Sequence, residues 1–243
     1  MKAKVLVTGM SSYLGSHVID ELLKSDKYEI RTIVDGDQKQ HTYDALKSKL
    51  GDKVDTVEIM EANLLNRRSI FNAVEGCDMV IHTDSPFDIW SDGSNLTTDF
   101  PIEHNEDKFI IPAVDGTKSI LEACAEHNIK WVIITSSTAA IVDTTDPDTM
   151  FDETNWIKVD ENTPAFPKSK FMMETIAWMY WDKANYEIVT LCPGFMIGPN
   201  ILDSEVVEEK WLREATHLLV PDLHMTFVDV WDVAKAHVQA LDE

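Results

Sequence analysis

The chain has 243 residues, of which 44% are hydrophobic and 26% charged, and this balance is typical of one globular domain spanning residues 1–243. It contains 43 acidic and 21 basic residues, which give a formal net charge of −22 at pH 7. That charge argues against nucleic acid and anionic membranes as partners, because both are polyanions that would repel the chain.

Short apolar runs alternate with helical patterns along the chain. Strands are predicted at residues 4–8, 28–34, 54–60, 79–83, 131–135 and 187–192. Helices are predicted at residues 13–23, 41–50, 66–74, 109–127, 166–183 and 228–241, and polar loops at 84–105 and 143–162. The alternation predicts an α/β fold, a Rossmann-type doubly wound parallel sheet whose ligands bind at the carboxyl ends of the strands.

The cysteines and the N-terminal residues bear on the compartment. Cys77, Cys124 and Cys192 are too far apart for a redox motif or a metal site, so we expect reduced thiols and no bound metal. The first strand starts within two residues of Lys2, and no apolar run approaches the ~20 residues that cross a bilayer. These features favour a cytoplasmic protein without membrane insertion; an organelle leader removed ahead of residue 1 is the alternative.

The turn after the first strand has the features of a dinucleotide site. Gly9 and Gly15 stand three residues before and after Ser12, where a third glycine is usual. Glycines let a pyrophosphate approach the free N–H groups at the start of the helix. We therefore expect a dinucleotide to contact Gly9, Ser12, Tyr13, Leu14 and Gly15.

Asp35 ends the second predicted strand, 20 residues after Gly15. A carboxylate here binds the adenosine ribose hydroxyls and repels a 2′-phosphate, which favours NAD over NADP. The alternative is a plain turn, because Asp35, Gly36 and Asp37 are all turn-forming residues. The expected cofactor is therefore NAD or NADP, with NAD favoured.

Phe166 and Lys170 open a helix one turn apart and share a face. They belong to a set of stretches comprising residues 5–9 with 14–18, His82 with 85–88, 112–117, 135–140, 152–156, 168–170 with Glu174, 193–194 with 198–199, and 227–230. In this order the stretches resemble the extended short-chain dehydrogenase/reductases of the NAD-dependent epimerase/dehydratase type. Within that group the chain is most similar to the dihydroflavonol reductase and cinnamoyl-CoA reductase branch.

The resemblance implies NAD(P)H-dependent reduction of a carbonyl. Ser137 matches the serine that orients and polarises the substrate carbonyl. Lys170 matches the lysine that binds the nicotinamide ribose and lowers the pKa of the catalytic tyrosine. Phe166 stands at the position of that tyrosine, the proton donor. Asn63, Leu64 and Pro193 are also predicted to line the cofactor site.

Three residues depart from the family pattern. Phe166 has no proton to give, and losing a positioned general acid typically lowers the rate by about 10² to 10⁴. Ser12 puts a side chain where backbone should meet pyrophosphate. Asp84 replaces a small alanine, and a carboxylate ~4 Å from a phosphate charge is repelled by roughly 4 kcal/mol at an effective dielectric near 20.

The C-terminal segment also differs from the family. Family members usually continue beyond the motif at residues 227–230 and have a longer segment before it, so residues 200–226 are expected to form a reduced substrate lobe. Trp181, Trp211 and Trp231 are candidates to lie on the face that a reduced lobe would leave open. A protein partner is expected to cover that face.

These observations lead to three functional hypotheses. The first is a reductase-fold pseudoenzyme, catalytically impaired, that serves as a dinucleotide-binding or structural accessory subunit, or that binds no dinucleotide. The second is an active NAD(P)H-dependent carbonyl reductase in which Ser137 and Lys170 hold a water molecule as the acid. The third is a partner-binding module.

Overall fold

The computed structural model describes residues 2–84, 106–143, 148–161, 163–202 and 226–242. The strands in these ranges are β1 (Ala3–Thr8), β2 (Tyr28–Val34), β3 (Glu58–Glu61), β4 (Met79–His82), β5 (Trp131–Thr135), β6 (Glu187–Leu191), β7 (Phe195–Ile197) and β8 (Phe227–Asp229). The α-helices are α1 (Tyr13–Ser25), α2 (Lys39–Leu50), α3 (Arg67–Val74), α4 (Glu106–Glu126), α5 (Ala165–Trp181) and α6 (Val230–Gln239). Most of the predicted loop at 84–105 and of the predicted lobe segment at 200–226 lies outside the described residues.

Strands β1 to β6 form one parallel sheet in the order β3-β2-β1-β4-β5-β6. This is the strand order of a doubly wound Rossmann sheet, so the predicted fold is confirmed. From β1 the chain adds β2 and β3 on one side, and then returns to add β4, β5 and β6 on the other side. The crevice where the strand order reverses therefore opens above the carboxyl ends of β1 and β4.

Two hydrophobic cores lie on the two faces of the sheet because alternate strand residues point to opposite sides. Val5 and Val7 of β1 pack in the core that includes residues of α1, α2 and α6. Leu6 between them packs in the core formed with α3, α4 and α5. All three side chains are fully buried. Burying an aliphatic side chain of this size contributes about 1.5–3 kcal/mol, which makes β1 a well-anchored support for the turn that follows it.

Helix α4 is 21 residues long and packs between α3 and α5. It begins three residues before the predicted start at Phe109 and contains Pro112. Within the described ranges, no helix is long and apolar enough to cross a membrane.

The predicted strand at 54–60 is wrong in its first half. Residues Gly51–Thr56 form a 3₁₀-helix, and β3 begins only at Glu58. The Thr56 hydroxyl donates to the Lys53 carbonyl oxygen at 2.7 Å, a local bond that competes with strand pairing. Val54 is fully buried, but against the core beside α1 and α2 rather than in the sheet. The apolar side chain of Val54 therefore indicates burial and not a strand.

The helix predicted at 228–241 begins two residues later in the structure, at Val230. Phe227–Asp229 forms β8, which pairs in parallel with β7 in a separate two-stranded sheet. Asp229 then caps α6 by accepting the Trp231 N–H at 2.8 Å. Neither short strand was predicted from the sequence, because three residues are too few to show a period.

Candidate active site

The predicted site residues gather at one edge of the sheet. Gly9 follows β1, Asp35 follows β2, Asp84 follows β4, Ser137 follows β5 and Pro193 follows β6. The strands are parallel, so their carboxyl ends all lie on this edge. The crevice between β1 and β4 is therefore the place where a ligand would meet most of them.

The turn after β1 has geometry that only glycine allows. Gly9 has φ +78°, and a Cβ on it would lie 2.9 Å from the Thr83 hydroxyl oxygen. A Cβ on Gly15 would lie 2.0 Å from the Gly9 carbonyl oxygen. The backbone of the turn therefore sits directly against the start of α1, as a dinucleotide-binding turn requires.

Ser12 is the N-cap of α1. Its hydroxyl oxygen accepts the Gly15 N–H at 3.0 Å, and its carbonyl oxygen accepts the Ser16 N–H at 3.1 Å. The side chain is folded back onto the helix that it caps. It therefore takes up one of the N–H groups that a helix start would otherwise offer to an anion.

Two other residues of the turn serve mainly in packing. The Tyr13 hydroxyl donates to the Gly198 carbonyl oxygen at 2.9 Å, which ties the start of α1 to the loop after β7. Leu14 is 4% exposed and its side chain packs in the core. The Leu14 side chain is therefore not available to a ligand in the crevice.

The floor of the crevice is a hydrogen-bonded cluster around His82. Its Nδ1 lies 2.9 Å from the Thr8 hydroxyl and its Nε2 3.0 Å from the Thr117 hydroxyl of α4. Burial lowers the pKa of His82 to about 3, so the imidazole is neutral. The Thr83 hydroxyl also donates to the Thr8 carbonyl oxygen at 2.6 Å. These bonds lock β1, β4 and α4 together below the glycine turn.

Asp35 lies exposed at the end of β2. One of its carboxylate oxygens accepts a hydrogen bond from the Asn63 side-chain amide at 3.0 Å. The Asn63 amide oxygen in turn accepts the Leu65 N–H at 2.9 Å, which orients the group. Leu64 packs close to α4, where a Cβ on Gly116 would lie 3.2 Å from the Leu64 Cβ. Asp35 and Asn63 are therefore brought together beyond the end of β2, with Leu64 packed beside α4, and their contact with a cofactor stays a prediction.

Asp84 lies on the other side of the glycine turn. A Cβ on Gly9 would lie 3.2 Å from the Asp84 Cβ, and the Asp84 N–H donates to the Thr8 hydroxyl oxygen at 3.2 Å. Burial and the neighbouring carboxylate of Asp35 raise the pKa of Asp84 to about 6, against the opposing charge of Lys170. The crevice therefore holds two carboxyl groups, those of Asp35 and Asp84, on either side of the glycine turn.

Ser137 follows β5 and begins the 3₁₀-helix Thr138–Ala140. Its hydroxyl oxygen accepts the Ala139 N–H at 3.1 Å. The next N–H, that of Thr138, donates to the Pro193 carbonyl oxygen at 3.0 Å. Pro193 is therefore brought beside Ser137, so that its backbone supports the predicted serine.

Lys170 lies buried in α5, with its ammonium group 3.3 Å from the Thr135 carbonyl oxygen to which it donates. Burial lowers the pKa of Lys170 to about 8. The Phe166 ring centroid lies 5.8 Å from the Lys170 Nζ, so the two residues share a face as predicted. A phenyl ring thus stands where the resemblance calls for a phenol.

Glu174, one turn after Lys170, organises this side of the site. Its carboxylate accepts a short hydrogen bond from the Ser136 hydroxyl, and another from Thr190 Oγ1 at 3.0 Å. The Trp178 indole N–H also donates to it at 3.3 Å, and the Cys192 thiol at 3.7 Å. The sequence marked Glu174 only as part of a family motif; its role as the buried link between α5, β5 and β6 appears only in three dimensions.

Two of the three tryptophans that were candidates for an open face are described. Trp181 is 48% exposed and Trp231 is 36% exposed. Trp231 packs against His17, with ring centroids 5.4 Å apart, and the Lys24 ammonium lies 3.8 Å from its ring centroid. Trp211 lies outside the described residues.

Residues 5–243 match the NAD dependent epimerase/dehydratase family. The chain belongs to this family. It is 30% identical to tetraketide alpha-pyrone reductase 1 of Arabidopsis thaliana over 98% of this chain and 72% of that protein. It is 29% identical to vestitone reductase of Medicago sativa over 99% of this chain and 73% of that protein.

Solved structures of reductases have the same fold. Yeast methylglyoxal/isovaleraldehyde reductase Gre2, solved in complex with NADPH, superposes with a TM-score of 0.81 at 25% identity, over 99% of this chain and 74% of that one. Vestitone reductase from alfalfa superposes with a TM-score of 0.74 at 25% identity, over 100% of this chain and 74% of that one. The chain is also 29% identical to cinnamoyl-CoA reductase CAD2 of Medicago truncatula over 98% of this chain and 72% of that protein. The resemblance to the dihydroflavonol and cinnamoyl-CoA reductase branch is therefore confirmed, and the fold is that of an NAD(P)-dependent reductase.

Proposed function

We propose that this chain binds a dinucleotide in the crevice between β1 and β4 but has an impaired reduction step, and that it serves as a dinucleotide-binding or accessory subunit. The observation that carries the proposal is the phenyl ring of Phe166 beside Lys170. A carbonyl that accepts a hydride also needs a proton, and a phenyl ring has none to donate.

The glycine turn fits a dinucleotide. A Cβ on Gly9 would clash with the Thr83 hydroxyl, so glycine permits the tight turn, and the turn leads into the start of α1, where N–H groups and the helix dipole favour a phosphate. A bound NAD(P)H would supply the hydride. In this chain Lys170 would bind the nicotinamide ribose, and the Ser137 hydroxyl would orient a substrate carbonyl.

Asp35 favours NADH over NADPH as the dinucleotide. Its exposed carboxylate, oriented by Asn63, is suited to accept hydrogen bonds from ribose hydroxyls and repels a 2′-phosphate. Yeast Gre2, by contrast, was solved with NADPH. The preference for NADH is therefore proposed for this chain on the basis of its own Asp35.

The decisive experiment restores the missing hydroxyl. Phe166→Tyr is expected to raise the kcat for aldehyde or ketone reduction by about 10² to 10⁴, because a general acid is returned to its position. Phe171→Tyr is the matched control, since it adds the same hydroxyl to the same helix, at a ring that packs against Trp156. Turnover by the unmodified chain that matches Phe166→Tyr would contradict the proposal.

A titration separates impaired chemistry from a lost cofactor site. The unmodified chain is expected to bind NADH saturably, as followed by nucleotide fluorescence. Absence of saturable binding of NADH and NADPH would contradict the dinucleotide-binding role.

A second candidate function is an active carbonyl reductase that uses water as its acid. It is favoured by the lowered pKa of Lys170, about 8, which lets the ammonium group release a proton near neutral pH. In that case Ser137 and Lys170 would hold the water, and Ser137→Ala would abolish turnover by the unmodified chain. Impaired catalysis instead predicts little turnover before or after that change.

An accessory subunit also needs a partner, and exposed Trp181 and Trp231 are candidates to contact it. Light scattering of the purified chain tests whether the partner is a second copy. A monomer would direct the search to a different protein.

A further inference from the structure

The crevice contains the carboxyl group of Asp84, whose negative charge would repel the proposed ligand. The side chain of Asp84 starts beside the glycine turn, because a Cβ on Gly9 would lie 3.2 Å from the Asp84 Cβ. A diphosphate that rests on this turn therefore approaches the Asp84 carboxyl. Between an ionised carboxylate and a phosphate the interaction is repulsive, whereas a protonated carboxyl donates a hydrogen bond to a phosphate oxygen.

The charged groups around Asp84 come from the neighbouring elements. Asp35 at the end of β2 acts against ionisation of Asp84, as does burial of the carboxyl. Lys170 of α5 acts in the opposite direction. His82, two residues earlier on β4, is neutral and contributes no charge. The net effect, of which burial is the largest cause, raises the pKa of Asp84 to about 6, so the additional negative charge of a phosphate would favour the protonated carboxyl.

Asp84 cannot easily move away from the ligand. Its N–H donates to the Thr8 hydroxyl oxygen, and that oxygen is itself bonded to the buried His82. The backbone of Asp84 is therefore fixed to the floor of the crevice. A displacement of this backbone would break these bonds, whereas protonation of the Asp84 carboxyl relieves the repulsion and leaves them in place.

We propose that Asp84 determines the affinity of this site for diphosphates, and that the dinucleotide binds together with one proton taken up from solvent by the Asp84 carboxyl. This inference rests on the proposed dinucleotide binding and adds its proton stoichiometry. Because the diphosphate prefers the protonated form, its Kd rises with pH once free Asp84 is ionised. Affinity falls by up to tenfold for each pH unit above about 6.

Isothermal titration calorimetry measures this proton directly. NADH and ADP-ribose, which carries the diphosphate without the nicotinamide, are titrated at pH 7 in two buffers of different ionisation enthalpy. The unmodified chain is expected to take up about one proton per ligand, and Asp84→Asn none. Asp84→Asn is also expected to bind roughly tenfold more tightly at pH 7 and roughly a hundredfold more tightly at pH 8, because it no longer has to be protonated.

Controls separate this effect from general changes of charge or folding. Asp37→Asn removes an exposed carboxylate from the loop after β2 and is expected to leave the proton number unchanged. Asp84→Ala provides a second variant at the same position, and circular dichroism shows whether each variant is folded. Proton uptake that is equal in the unmodified chain and in both Asp84 variants would overturn the inference.

Two further outcomes are decisive. Tight binding at pH 8 that requires Mg²⁺ and takes up no proton would overturn the inference, because a cation would then neutralise Asp84. Failure of ADP-ribose to bind to the unmodified chain at pH 5.5 and to Asp84→Asn at pH 7 would overturn the proposed dinucleotide binding itself. Binding with no proton uptake leaves that function standing and rejects only the role of Asp84.

Discussion

The two halves of the sheet, β1–β3 and β4–β6, share an architecture but differ in the residues that follow their strands. In the first half, the turn after β1 keeps Gly9 and Gly15 because any side chain there meets backbone or packed atoms. In the second half, Glu174 bonds to Ser136 and Lys170 bonds to the Thr135 carbonyl oxygen. These bonds form a frame beside the ring of Phe166. Packing fixes the scaffold in both halves. The ring at position 166, in contrast, is only partly buried, so packing does not decide whether it carries a hydroxyl.

The largest effect on stability is expected from removing the hydrogen bonds that Glu174 accepts in the second half. Glu174→Ala leaves the Ser136 and Thr190 hydroxyls without their acceptor and is expected to lower the free energy of unfolding by about 3 kcal/mol. Urea denaturation measures the change. Glu126→Ala, at an exposed carboxylate near the end of α4, is the control and is expected to have little effect. Equal effects of the two substitutions would mean that the buried carboxylate does not hold the frame.

A medium effect per pH unit is expected from acid, and it acts through two buried histidines, His82 of β4 and His237 of α6. Burial lowers the pKa of His82 to about 3 and that of His237 to about 4, whereas both titrate near 6.5 in the unfolded chain. Between these values the unfolded chain binds more protons, so each histidine makes stability fall as pH decreases below 6.5. The loss is about 1.4 kcal/mol per pH unit for each histidine.

Replacement of His237 tests this dependence in the second half. His237 Nε2 lies 2.7 Å from the Thr135 hydroxyl, at the end of β5. His237→Gln keeps a polar group there and is expected to reduce the slope of stability against pH between about 6.5 and 4. Urea midpoints measured at several pH values give the slope. An unchanged slope would show that His237 does not titrate on unfolding.

The smallest effect is expected at the edge of the first half. Asp35→Ser removes a charge that opposes a 2′-phosphate and is expected to shift the ratio of NADH to NADPH affinity roughly fivefold toward NADPH. This corresponds to about 1 kcal/mol between exposed charges ~4 Å apart. Fluorescence titration with both nucleotides gives the ratio. If the ratio does not move, Asp35 is only a turn residue.

The sequence predicted the features that depend on local pattern. Strand and helix alternation gave the sheet correctly, and the spacing of Phe166 and Lys170 placed them on one face of α5. The prediction failed where an apolar residue is buried outside the sheet, as at Val54, which lies in a 3₁₀-helix and not in a strand. It also could not show that Ser12 turns back to cap α1, since a cap depends on side-chain direction. The bonds of Glu174 join residues up to 38 positions apart and have no local signature.

In the cluster around His82, beneath the glycine turn, the direction of each hydrogen bond is fixed. The Thr8 hydroxyl oxygen accepts the N–H groups of both Thr83 and Asp84, each at 3.2 Å, so its own proton is left to donate to His82 Nδ1. His82 is therefore the Nε2–H tautomer and donates to Thr117. A second proton, on Nδ1, would face the Thr8 hydroxyl proton and break the hydrogen bond between Thr8 and His82. The tautomer of one buried imidazole thus helps to hold the backbone N–H of Asp84 at the mouth of the crevice.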